Sequence, residues 1–333
     1  LNLDAYLPRA PVGGTGGGKG GTGEADGKSA ATAATPFAVL DDFDANVQVR
    51  IGSLNVNRTA IRGIRFDGTL AQGTLTVREA AVRNLAGTGA KLSGTLTNFA
   101  AFPVFEGKFF ADSRNLTGIL RVAGITTPVA PKRYGRVRLR GSADGGADRF
   151  RVQTRLDIAG ATAKLTGEAE GLATRPRFSA TLNVSHPRLA RLAPLIGLGP
   201  APGNAGGPIV VTLSIEGRAD DLKTEAWLKA SGADFNLNGS VSNPLTDPAV
   251  DLAINFSHRE FVSLVRMFDP AYAPATAKLG RVELAARIKG DARKLQLGDI
   301  KGRIGKQTLS GDATLALDGA RPHLSATLGA GDI

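Results

Sequence analysis

A chain of 333 residues with 43 glycines, one methionine and no cysteine has neither disulfides nor thiolate metal sites nor thiol catalysis open to it. No apolar run approaches the roughly 18 residues of a membrane-spanning helix. The formal net charge of +11 favours anionic partners, but the cations are spread along alternating segments without aromatic platforms beside them, which argues against nucleic acid.

The opening Leu1 to Pro8 has apolar residues at helical spacing and predicts a short helical segment over 1–8. Residues 9–36 are rich in Gly and Ala and read as a flexible linker. Within it, Gly13 to Gly20 resembles a phosphate loop, but Gly20 stands where a magnesium-binding Ser or Thr belongs, and no strand precedes it. Asp42-Phe-Asp44-Ala-Asn46 starts like a calcium loop. Val47 and Ser53 then occupy the positions of its required Gly and Glu, so it reads instead as a helix end running into a strand.

From residue 37 onward the chain repeats. The stretches PVFEGKFFADS, PRFSATLNVSH, PAVDLAINFSH and PHLSATLGAGD begin at Pro103, Pro176, Pro248 and Pro322, a period of about 73 residues. A second marker, Leu92, Leu165, Leu237 and Leu309, keeps step with the first. The units are 37–102, 103–175, 176–247 and 248–321, with 322–333 opening a further, truncated one. Ile209 to Gly217, Thr224 to Ser231 and Asp234 to Ser242 alternate apolar and polar residues between turn residues, which predicts antiparallel strands in a meander. Asp144 to Asp148 reads as a hairpin turn. After each complete Pro-led strand comes a short helical spacing: Leu116 and Leu120, then Leu189 and Leu192, then Phe261, Leu264 and Val265. The expected fold is all-β: an elongated, twisted and curved antiparallel sheet of about four β-meander repeats, with short helices, forming an apolar groove.

Ser185 and Ser257 precede the helical stretches and are expected to cap them. His186 and His258 share one register about a repeat apart, too far to hold one metal ion, so a capping or surface role is expected. His323 belongs to another register. No carboxylate pair, triad or cofactor fingerprint is present, and the chain is expected to be no enzyme and to hold no cofactor or metal. One strand face carries Val47, Val49, Ile51, Val137, Leu139, Val152, Val211, Leu213, Ile215, Val282 and Leu284. These are the candidate lining residues, since only short helices are available to cover them. Arg136, Arg138 and Arg140 alternate with Val137 and Leu139 and are expected to face lipid headgroups.

Leu1 to Pro8, the Gly/Ala/Pro linker, Asp44 to Val56 and Gly68 to Val77 together resemble the AsmA family of Gram-negative envelope proteins, over essentially the whole chain. The resemblance implies an inner-membrane anchor, here absent, a periplasmic β-rich body and a part in outer-membrane biogenesis. It also implies bridge-like transfer of phospholipids along an apolar groove, with other envelope proteins as further partners. The alternative expectation is a scaffold or assembly factor for outer-membrane proteins, without lipid cargo. Joining Ile333 to Leu1 restores a unit in phase, so the 333 residues are expected to be an excised piece of a longer array.

Overall fold

A computed structural model describes residues 44–56, 59–98, 103–146, 148–172, 174–196, 207–244, 246–268, 271–273, 279–318 and 322–332. The expected helical segment 1–8 and linker 9–36 lie outside the described residues. The strands are β1 Ala45–Val56, β2 Thr59–Ala71, β3 Thr74–Leu85, β4 Thr88–Thr97, β5 Val104–Ser113, β6 Val137–Gly145, β7 Arg149–Ile158, β8 Ala161–Glu170 and β9 Arg177–His186. They continue as β10 Ile209–Arg218, β11 Asp221–Ala230, β12 Ala233–Ser242, β13 Ala249–His258, β14 Val282–Asp291, β15 Lys294–Ile304, β16 Gln307–Ala316 and β17 His323–Asp332. Each pairs antiparallel with its neighbours in the chain, making one open 17-stranded sheet with β1 and β17 at its edges. Its sixteen steps of about 4.8 Å amount to a contour of about 77 Å across the strands.

Local chemistry explains the meander. Ala86-Gly87, Ala159-Gly160 and Ser231-Gly232 each close a two-residue hairpin with both residues at positive φ, the turn whose twist matches that of paired strands. Longer connections replace this turn after β5, β9 and β13, which all run in one direction. Their helices, α1 Thr117–Ala123, α2 Leu189–Leu192 and α3 Phe261–Phe268, therefore gather at one rim.

The short helices, the elements the sequence offers as cover for the lining residues, do not lie over the sheet. They are about 6 to 12 Å long and stay at the strand ends, whereas ten-residue strands run about 33 Å. Gly118 of α1, for example, sits against the carbonyl of Ala86 in the β3–β4 turn. The rim elements also touch one another, the Tyr134 hydroxyl donating to the Leu195 carbonyl at 2.9 Å.

Beneath this rim lies the best-buried row of the sheet. Val137, Ile209 and Val282 open β6, β10 and β14 and are 7–8% exposed, paired with Ser113, His186 and His258 at 3–4%. Val262 of α3 is 3% exposed. Away from the rim Leu70, Ala143, Ala286 and Ile300 are as well buried, at 7–9% exposed, and no large side chain among the described residues is fully buried. Burial is densest at this rim and scattered over the rest of the sheet.

Ion pairs lace the polar side across strands. Asp251 accepts from Arg287 through Nε at 2.6 Å and Nη2 at 2.8 Å, with Lys289 Nζ at 3.3 Å, and its carboxyl is pulled down to about 2, chiefly by the hydrogen bond from Arg287. Arginine neighbours similarly hold Asp112, Asp157 and Glu168 below the usual range. A depressed carboxyl favours the native state above its unfolded pKa, and that contribution disappears as pH falls through the native one. The thermal midpoint is therefore expected to drop on acidification from about pH 4 to about pH 2, with part of the drop abolished in Asp251→Asn. An acid limb unchanged by that substitution would show that the pair carries no native-state stability. Solvent reaches the pair, whose side chains are 51% and 36% exposed, so the effect is small.

Candidate functional site

Residues directly opposite across paired strands point to the same face, so the register defines which side chains share it. Val211 faces Leu228, which faces Phe235, then Phe256, then Leu284. A second row runs through Leu213, Ala226, Leu237, Ile254 and Ala286, and a third through Ile215, Thr224, Gly239, Leu252 and Ile288. Followed towards β1, the first row continues through Val184, Ala163, Leu156, Leu139, Ala111, Ala90, Val82 and Ile64 to Ile51. Towards β17 it ends at Leu309 and Ala330, beyond the dent left by Gly302. The apolar face is thus continuous from edge to edge.

All eleven candidate lining residues project from this one face. Val47, Val49, Ile51, Leu139, Val152, Val211, Leu213, Ile215 and Leu284 lie in its open rows. Val137 and Val282 belong instead to the row beneath the helical rim, where burial takes them out of reach of any ligand on the open face. The open rows are mostly half-buried, with Ala143, Ala286 and Ile300 buried within them, and at the edges Val47 is 41% and Leu328 54% exposed. Among the described residues no helix packs broadly across a strand, so none of their helices covers this face. The sequence list missed Leu182, Phe235, Leu237, Ile254 and Phe256, which the same odd-even alternation marks once the strand limits are known.

The helix caps are not the expected ones. Ser185 and Ser257 are the penultimate residues of β9 and β13 and, one residue out of phase with the histidines, point to the opposite face. The strand-ending histidines make the contacts instead. His186 Nδ1 accepts the Arg188 N–H at 2.9 Å while Nε2 lies 3.2 Å from the Ala159 carbonyl, and His258 Nδ1 accepts from the Glu260 N–H at 3.1 Å while Nε2 lies 3.2 Å from the Ser231 carbonyl. Each imidazole ties the start of a helical connection to the neighbouring hairpin turn, and Ser113 does the same with hydrogen bonds to Gly87 and Asn115. In α1 it is Asn115 that receives the Thr117 N–H, at 2.9 Å. His186 and His258 stand four strands, about 19 Å, apart. Their burial excludes the surface role allowed for them.

Arg136 and Arg138 both engage Asp112, at 2.8 and 3.3 Å, which leaves Arg140 as the member of that trio without an ion pair to a described carboxylate. No group of three or more potential metal-ligating side chains occurs among the described residues, nor is any of their helices long and apolar enough to cross a membrane. Comparison with family models, with curated proteins and with solved structures returns no match to this chain.

Proposed function

We propose that this chain is a non-enzymatic, AsmA-like periplasmic protein that shelters phospholipid acyl chains against its apolar face, for transfer between the inner and outer membranes. The observation that carries this reading is the apolar face that no described helix covers, continuous over seventeen strands. Apolar surface in water costs on the order of 25 cal/mol per Å², and contiguous surface of this kind marks a binding site. Acyl chains meet the requirement chemically, since they are apolar along their length and tolerate any order of Val, Leu, Ile and Phe beneath them. A chain moving from bilayer to protein exchanges one apolar environment for another, so its net cost lies near zero. Withdrawing the same ~16 carbons into water would cost about 12 kcal/mol at about 0.8 per methylene.

Native mass spectrometry and solvent extraction of protein purified without detergent test this reading: co-purified phospholipid is expected. Protein that is folded and free of lipid would overturn it in favour of a scaffold. That second reading draws on β17, exposed over residues 323–331, whose outer edge pairs with no described strand and offers a partner strand the main-chain hydrogen bonds of sheet extension.

A further inference from the structure

The face opposite the apolar rows carries a charge pattern that acyl-chain binding does not use. Lysines and arginines outnumber carboxylates by about two to one over described residues 44–196, and the two balance over 207–332. The register concentrates this excess. Arg50 faces Arg65, which faces Ala81, then Lys91, Phe110, Arg140, Arg155 and Lys164, each directly opposite the next from β1 to β8. The same row then runs uncharged through Asn183, Thr212, Trp227, Asn236, Asn255 and Ala285, and beyond them holds a single cation, Lys301 in β15.

Like charges set directly opposite on neighbouring strands destabilise a sheet. Elsewhere on this face several cations are matched with carboxylates, as at Arg287–Asp251 and Arg303–Glu283. In the basic row only Arg155 is paired with a described carboxylate, Asp157 one row nearer the rim, which Thr162 also engages and which Arg140 stabilises electrostatically. A cavity of about 520 Å³ follows the row, with Arg140, Arg155 and Lys164 on one side and Lys108, Ser142 and Thr166 on the other. Its lining offers four cations and neutral donors, and no carboxylate. Phe110, 42% exposed, stands in the middle of the row.

We infer that this basic row is a docking surface for an anionic phospholipid bilayer, and that it orients the chain with its β1–β8 half against the membrane. The row spans seven strand steps, about 34 Å, and presents cations for headgroup phosphates with one apolar ring among them, the combination used at membrane interfaces. Single-stranded nucleic acid fits less well, because it needs successive aromatic platforms and the basic stretch of the row holds one ring. The half from β9 onward lacks the charge and stays off the surface, which leaves it free to meet a second partner.

The test is sedimentation with phosphatidylcholine vesicles that do or do not contain phosphatidylglycerol, at about 0.1 M salt, where the Debye length is about 10 Å. Each cation at an anionic surface is worth about a fivefold change in binding. Arg140→Gln with Lys164→Gln is therefore expected to weaken binding to the anionic vesicles about 30-fold and, by relieving like-charge opposition, to leave the thermal midpoint unchanged or raised. Lys223→Gln with Lys301→Gln removes the same charge from the other half and is expected to leave binding within about twofold. Equal losses in the two variants, binding to neutral vesicles alone, or tighter binding to a single-stranded oligonucleotide at the same salt would each overturn the inference. Lipid co-purifying with the apolar face is read separately and is expected to persist in the Arg140/Lys164 variant, so failure here is distinguishable from failure of the transfer reading.

Discussion

Leu213→Glu is expected to yield a folded sheet that no longer carries lipid, whereas Val282→Glu is expected to unfold the β13–β15 region. The two positions face the same way, and the sequence alone gives no ground for separating them. Leu213 lies in an open row, half-buried among Leu182, Ala226 and other open-row side chains, where a carboxylate can rise into water at modest cost. What it removes is the continuity of the apolar path, since a charge is expensive to pass with an acyl chain on top of it. Val282 is 8% exposed beneath the rim, opposite His258 and Ile304, with no cation paired to it. A carboxylate there is buried without a partner, a loss on the order of 3 kcal/mol or more. Circular dichroism and extracted lipid per protein separate the outcomes. Unfolding of both variants would mean that the open rows are a closed core, and retention of lipid by Leu213→Glu would mean that the lipid sits elsewhere.

Gly239→Ala is expected to lower stability by about 2 to 4 kcal/mol, although it adds a single methyl group to a sheet face that no described helix covers. Gly239 in β12 has φ +152, a backbone conformation costly for any side chain, and a Cβ there would run into the carbonyl oxygen of Asp251 on β13. Gly311 in β16 repeats the arrangement at the same φ, against Thr327 on β17. Both glycines sit within apolar rows, where the neighbouring backbone passes unusually close. Gly52→Ala is the matched control, since its φ is ordinary and nothing lies within 4 Å of a Cβ. Limiting glycine's freedom in the unfolded chain is expected to leave that variant neutral or stabler by up to about 1 kcal/mol. Equal urea midpoints for the Gly239 and Gly52 variants would show that the close approach is not required.

The Pro-led patterns fixed where β5, β9, β13 and β17 begin, and the alternation within them fixed which residues share a face, because side-chain direction in a strand depends only on parity. The hairpin turn read at Asp144 to Asp148 joins β6 to β7, since turn-forming residues are a local requirement. Three things needed the tertiary structure. Where the helices lie depended on the strand directions at the ends of β5, β9 and β13, which put all three at one rim instead of over the face. The strand-ending His186 and His258 took the contacts expected of Ser185 and Ser257, because one residue of register decides which side chain reaches the hairpin turn. The basic row could not be read in one dimension at all. Arg50, Arg65, Lys91, Arg140, Arg155 and Lys164 are scattered over more than a hundred positions of sequence, and it is hydrogen bonding between strands, set by the register of each pair, that brings them into line.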